Sequence, residues 1–170
     1  EKDEMHLMKS RMLDDIVGLL GGRVAEKIIF NDISTGASND IERASDTARK
    51  MITKYGMSEK LGPITFGTGN DEVVYDDGNG EVFLGKDYNH MRNYSEAVAC
   101  EIDEEVEKII LKAYDRTESI LNEHIDKLHA VAKALVEREK IDAEQFKILM
   151  EGGTLPPYEP KSKKVENKTE

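Results

Sequence analysis

Gly21-Gly22-Arg23-Val24-Ala25-Glu26-Lys27-Ile28-Ile29-Phe30-Asn31-Asp32-Ile33-Ser34-Thr35-Gly36-Ala37-Ser38-Asn39-Asp40 joins the end of one predicted helix to the start of the next. Upstream, Met12, Leu13, Ile16, Val17, Leu20, Val24 and Ile28 recur at spacings of three and four, which predicts an amphipathic helix over residues 8–30. Asp14, Asp15, Arg23 and Lys27 take its wet side. Gly18, Gly21 and Gly22 interrupt the pattern. Each costs ~1 kcal/mol relative to Ala inside a helix, so they are expected to mark close packing against another element. Asn31-Asp32 ends the helix, and the small-residue run Ser34–Ser38 leads to Asn39 and Asp40. Two carboxylates, Glu26 and Asp40, thus flank a tight turn between two helices.

Downstream, Asn39 with Glu42 has the form of a capping box. Ile41, Ala44, Ala48, Met51, Ile52 and Tyr55 form the expected buried stripe of the second helix, and Gly56 is its stop. Residues 57–92 change character. Ile64-Thr65-Phe66, Val73-Val74-Tyr75 and Val82-Phe83-Leu84 are short β-prone runs, and Asp77-Gly78-Asn79-Gly80 predicts a hairpin turn. From Tyr94 to Leu121, Val98, Ile102, Val106, Ile109, Ala113 and Ile120 predict a long helix with an acidic outer face. Asn122 is placed to cap a continuation that buries Ile125, Leu128, Val131, Ala132 and Leu135. Asp142 is the expected N-cap of a short last helix stopped by Gly152-Gly153. The Lys/Glu-rich end has no periodicity, and residues 152–170 are expected to be a disordered tail. The fold class expected is mainly α, a helical fragment with a small β hairpin.

Composition bounds the function. At 170 residues the chain suits one compact domain with a tail or two small ones. Hydrophobic residues at 38% suffice for a core, and charged residues at 35% require a strongly charged surface. A net charge of −11 argues against nonspecific nucleic-acid binding, which needs Lys and Arg to displace counterions. A lone Cys100 cannot form an internal disulfide, which fits a reducing compartment. No apolar run approaches the ~20 residues that span a bilayer. The chain opens on Glu1-Lys2-Asp3-Glu4 with neither an initiator Met nor a signal-peptide pattern, and is expected to be a soluble fragment of something longer.

Several motifs dissolve on inspection. Gly80 to Lys86 fits the front of a phosphate-binding loop, but Asp87 stands where a Ser or Thr should hold magnesium. Read as a calcium loop, the Asp77–Gly80 turn puts Tyr75 and Lys86 at ligand positions that need oxygen donors of another kind. None of His6, His90, His124 and His129 is followed by Glu, so this sequence has no His-Glu-x-x-His zinc helix. Asp40 admits two readings: a carboxylate favoured by the positive end of a helix, or a metal ligand held rigid there. Glu26 is either an exposed helix carboxylate or a support that orients a histidine ligand. Spacing leaves both pairs of readings open.

Leu19-Leu20-Gly21-Gly22-Arg23-Val24-Ala25-Glu26, Ser34-Thr35-Gly36-Ala37-Ser38-Asn39-Asp40-Ile41, Ala44 with Ala48-Arg49, Tyr55-Gly56-Met57-Ser58, Leu61-Gly62-Pro63 and Phe83-Leu84-Gly85-Lys86-Asp87 follow in unbroken order. Together they resemble the peptidase domain of FtsH-type proteases, membrane-anchored ATP-dependent zinc metalloproteases, over roughly residues 1–151. The resemblance implies a helical peptidase domain in a six-fold ring (a homo-hexamer) below an AAA+ ATPase ring that uses ATP and magnesium. It implies hydrolysis of unfolded or damaged membrane and cytosolic proteins at a zinc site, on the cytoplasmic side of the cell membrane. In the family two histidines of a His-Glu-x-x-His helix bind zinc and its Glu activates water. The third ligand is an Asp that falls on Asp40 here, with Glu26 as a supporting carboxylate. Residues 1–151 would then be the C-terminal part of the peptidase domain. It would carry one zinc ligand of three and no catalytic residue, and would be inactive alone. The rival reading is a non-catalytic helical oligomerisation or interaction module.

Overall fold

The computed structural model describes residues 7–67 and 94–158. The expected hairpin over Val73–Leu84, the Gly80–Lys86 motif, His6, His90 and the end of the tail from residue 159 lie outside the described residues. Among the described residues there are five helices: α1 (Lys9–Phe30), α2 (Ser38–Thr53), α3 (Glu96–Glu123), α4 (Ile125–Arg138) and α5 (Ala143–Met150). The mainly α class follows. Among the described residues there is no strand, only an isolated bridge between Ser58 and Gly62. Ile64-Thr65-Phe66, read as β-prone, has no strand partner among the described residues, and Ile64 is exposed.

The chain divides into two compact units, Glu1–Glu118 and Ser119–Glu170. In the first, Met12, Ile16, Leu20 and Val24 recur every four residues along α1, and all are buried. Burying such side chains contributes ~1.5–3 kcal/mol each, which drives the helix onto its neighbour. That neighbour, α2, meets it with Ala44, Ala48 and Met51, all at 0% exposure. The alanines have no side chain beyond Cβ, so the two backbones approach closely. Val106, Ile109, Ile110, Ala113 and Tyr114 of α3 complete the cluster. The buried Thr117 hydroxyl lies 2.8 Å from the Ala113 carbonyl and 3.1 Å from that of Val17, so its polarity is satisfied within the core. Arg116–Asp14 and Arg49–Asp103, each 2.8 Å, rim the core. Exposed pairs of this kind contribute ~0–1 kcal/mol, so apolar burial dominates.

α2 begins and ends differently from the sequence expectation. Its N-cap is Ala37, with no side-chain cap, so Asn39 is already inside the first turn and the proposed Asn39–Glu42 capping box does not form. The helix stops at Thr53, which leaves Tyr55 beyond its periodicity and 48% exposed rather than buried. Gly56 does close it. At φ +59° it lets the Met57 N–H donate to the Met51 carbonyl at 2.9 Å, six residues back. The following loop is then clasped to α3. The Ser58 hydroxyl donates to Glu105 Oε2 at 2.8 Å and accepts from the Leu61 N–H at 3.1 Å. Phe66 and Tyr94, on either side of the undescribed segment, meet edge to face at 5.9 Å.

In the second unit, His124 rather than Asn122 precedes α4, and Asn122 remains inside α3. Ala134 is buried, while Leu135 is 42% exposed and Ala132 is exposed, so a small residue makes the inward contact. α4 packs on α5. Asp142 caps α5 as expected: its side chain accepts from the Gln145 N–H at 2.8 Å, and the Gln145 side chain accepts from the Asp142 N–H at 3.1 Å. Gly152, at φ +82°, and the Gly153 N–H bond to the Ile148 carbonyl end the helix. Arg138 donates to the Pro156 carbonyl and lies over the Tyr158 ring, tying down the segment after α5.

Two outcomes follow. Gly56→Ala puts a Cβ 3.0 Å from Pro63 backbone atoms and forces a left-handed L residue, which alone costs ~1–2 kcal/mol. Urea denaturation should show at least that loss. Glu105 is held below its ordinary 4.5, chiefly by the Ser58 hydroxyl and further by Lys108, against a smaller opposing effect of burial. A depressed carboxylate stabilises the fold above its ordinary value, and that contribution disappears as pH falls through the depressed value. Denaturation midpoints of wild type should therefore fall more steeply below pH 4.5 than those of Glu105→Gln.

Candidate metal centre

The turn between α1 and α2 is built by hydrogen bonds. Asn31 takes the left-handed conformation at φ +50°, which Asn tolerates better than most residues, and so ends α1. Asp32 Oδ1 accepts from the Ile33 N–H at 2.8 Å. Glu26, one turn before the end of α1, reaches forward to the loop. Its Oε2 accepts from the Ser34 N–H at 3.0 Å and its Oε1 from the Ser34 hydroxyl at 2.7 Å. That hydroxyl in turn accepts from the Gly36 N–H at 3.1 Å. The Ser34 backbone N–H and then its hydroxyl hold the Glu26 carboxyl below its usual range against a smaller opposing effect of burial, and the charge of Arg23 adds the least. Ala37, 6% exposed, then enters the core and starts α2.

Asp40 falls in the first turn of α2, where the helix's free N–H groups favour a negative charge. Its side chain is 47% exposed, and among the described residues its ion pair is a long 3.5 Å contact with Arg43. A carboxylate so loosely engaged keeps oxygen lone pairs for another partner. Asp40 lines an open cleft of about 690 Å³ with Asp14, Asp15, Gly18, Arg43 and Lys50.

The structure separates what the sequence placed together. Glu26 lines a different depression, with Phe30, Asp32, Ile33 and Ser34. Among the described residues, no group of three or more His, Cys, Asp or Glu side chains gathers in a way that could hold a metal ion. His124 precedes α4 and His129 is exposed on it, in the second unit. The glycine expectation also changes. A Cβ at Gly18, Gly21 or Gly22 would meet nothing within 4 Å, so no described element packs closely there. Ser34 carried no assigned role in the sequence. Its bond to a carboxylate eight residues earlier depends on the loop's conformation, and no local pattern announces it.

The chemistry available is therefore that of one positioned carboxylate. Asp40 fits as an oxygen ligand to a zinc ion, which takes Asp oxygens at ~2.0–2.2 Å beside histidine nitrogens. It does not make a complete site by itself.

Comparison with known proteins bears on this geometry. The ATP-dependent zinc metalloprotease FtsH 1 of Thermoanaerobacter sp. (strain X514) is 58% identical over 152 residues, 89% of this chain and 23% of the relative. The ATP-dependent zinc metalloprotease FtsH of Bacillus subtilis (strain 168) is 50% identical over 155 residues, 91% of this chain and 23% of the relative. That of Myxococcus xanthus (strain DK1622) is 47% identical over 154 residues, again 91% and 23%. The chain thus spans about a quarter of the length of these relatives. Among the described residues, no helix is long and apolar enough to cross a membrane. The pattern that defines peptidase family M41 matches residues 1–149, which include both helices of the Asp40 turn, and the chain belongs to that family.

Proposed function

We propose that this chain is the C-terminal part of the peptidase domain of an ATP-dependent zinc metalloendopeptidase, and that Asp40 supplies one of the zinc's three protein ligands. The observation that carries the assignment is Asp40 itself: a half-exposed carboxylate on the rigid start of α2, weakly paired and open to a cleft. The names of the relatives support the reaction class. Zinc held by three protein ligands keeps a fourth position for a water whose pKa falls toward ~7.

Within that site this chain's work is positioning. The buried α1–α2 contact fixes the axis of α2, and the loop fixes where α2 begins. Asp40 then holds a negative oxygen at a set point. The remaining ligands and the catalytic base would come from a His-Glu-x-x-His helix, a motif this sequence lacks. The longer protein would add a membrane anchor and an AAA+ ATPase using ATP and magnesium, assemble as a homo-hexamer, and take unfolded or damaged membrane and cytosolic proteins on the cytoplasmic side. The 170-residue chain alone would hold zinc weakly and cleave nothing.

Asp40→Asn in the complete protease tests the ligand assignment. Zinc content and proteolysis should both collapse while ATP hydrolysis persists, with a zinc-affinity loss beyond the ~10–100-fold typical for removing a group that only supports a ligand. Retained zinc and proteolysis would remove Asp40 from the ligand set. Equilibrium dialysis of the 170-residue chain should find no tight stoichiometric zinc, and finding it would overturn the predicted inactivity's basis.

A further inference from the structure

We infer that Ser34 is a positioning residue for Asp40, and that Glu26 acts through Ser34 rather than by orienting a histidine ligand. The inference rests on the reading of Asp40 as a zinc ligand. Four observations carry it. Both oxygens of Glu26 are turned onto Ser34, at 3.0 Å to its N–H and 2.7 Å to its hydroxyl. Glu26 stands two residues after Val24, which is 0% exposed, so the carboxylate is mounted on a part of α1 that the core holds still. The Ser34 hydroxyl relays the constraint to the Gly36 N–H at 3.1 Å. Space is also tight there, since a Cβ on Gly36 would lie 3.2 Å from the Ser34 hydroxyl and 3.7 Å from Glu26 Oε1.

Among the described residues, the apolar neighbours of this loop do not take over the job. Ser34, Thr35 and Gly36 are exposed, and the flanking Ile33 and Phe30 are 59% and 72% exposed. α2 has no side-chain cap of its own. The chain of bonds from Glu26 through Ser34 to Gly36 therefore sets where Ala37 enters the core, and with it the phase of the first turn on which Asp40 sits. Metal–ligand distances tolerate about ±0.2 Å, so a loop that slips by more misplaces the carboxylate without touching it.

The test compares Ser34→Ala, Ser34→Thr, Glu26→Ala and Asp40→Asn in the complete protease. Each is measured by zinc retention against a chelator and, after metal exchange, by the visible spectrum of bound cobalt(II). Ser34→Ala and Glu26→Ala should each weaken zinc ~10–100-fold and alter the cobalt spectrum. Their combination should be no worse than either alone, and Ser34→Thr, which keeps the hydroxyl, should restore the wild-type values. In the 170-residue chain, without metal, Ser34→Ala should speed amide exchange at Gly36 and the first turn of α2. Normal zinc affinity in Ser34→Ala with Asp40→Asn depleted would overturn the positioning role alone. Loss confined to Glu26→Ala would do the same and assign Glu26 a direct action on another ligand. Full zinc in Asp40→Asn would overturn the ligand reading beneath it. Unchanged amide exchange would overturn the bond chain whatever the metal does.

Discussion

Ala44 and Ala48 lie wholly buried in one cluster with Met12, Ile16 and Leu20, and that close approach of α2 to α1 is the constraint on which the turn depends. Replacing either alanine with a larger side chain would push the helices apart, because a core at full density absorbs extra volume only by backbone shift. α3 adds Ala113 and its flanking aliphatic residues to the same cluster. The two helices that bracket Asp40 are thereby fixed relative to each other by apolar burial, without help from the exposed ion pairs at the rim.

Given that frame, the connection between the helices has little freedom, and polar bonds rather than packing use what is left. The same device appears twice in the first unit. Glu26 clasps Ser34 between α1 and α2, and Glu105 clasps Ser58 after α2. In each, a helix carboxylate accepts from a serine hydroxyl whose oxygen accepts from a loop N–H. Its proton affinity is lowered, at Glu26 chiefly by the Ser34 backbone N–H and at Glu105 chiefly by the Ser58 hydroxyl. At the first clasp the result is that Asp40 faces a cleft with only a long 3.5 Å contact to Arg43 among the described residues. Ordering the loop in advance removes a cost that ligand binding would otherwise bear.

Much of the fold was legible because it follows from burial at helical spacing. Met12, Ile16, Leu20 and Val24 announce α1, and Asp142 announces the start of α5. The misses have physical causes. Asn39 matched a capping pattern, but the N-cap is Ala37, two residues earlier, and Asn39 is absorbed into the first turn. Tyr55 continued an apolar period past the point where Gly56 turns the chain. Leu135 was placed in the inward stripe of α4, whereas the inward contact takes the smaller Ala134. Gly18, Gly21 and Gly22 were read as packing points, yet the space above them is open among the described residues. At the site, spacing left Asp40 undecided between a helix-start carboxylate and a ligand, and only the ordered motifs shared with FtsH-type proteases favoured the second. The Glu26–Ser34 bond was illegible because it crosses a turn whose shape depends on a left-handed Asn31.

On the proposed reading, a helix pair and a loop that this chain builds without the metal place Asp40 as a zinc ligand. Diffraction at the zinc absorption edge from crystals of the complete, metal-loaded protease tests it most directly. An anomalous peak is expected at about 2.0–2.2 Å from an Asp40 carboxylate oxygen. A fully ligated zinc with the Asp40 carboxylate out of bonding reach would contradict it.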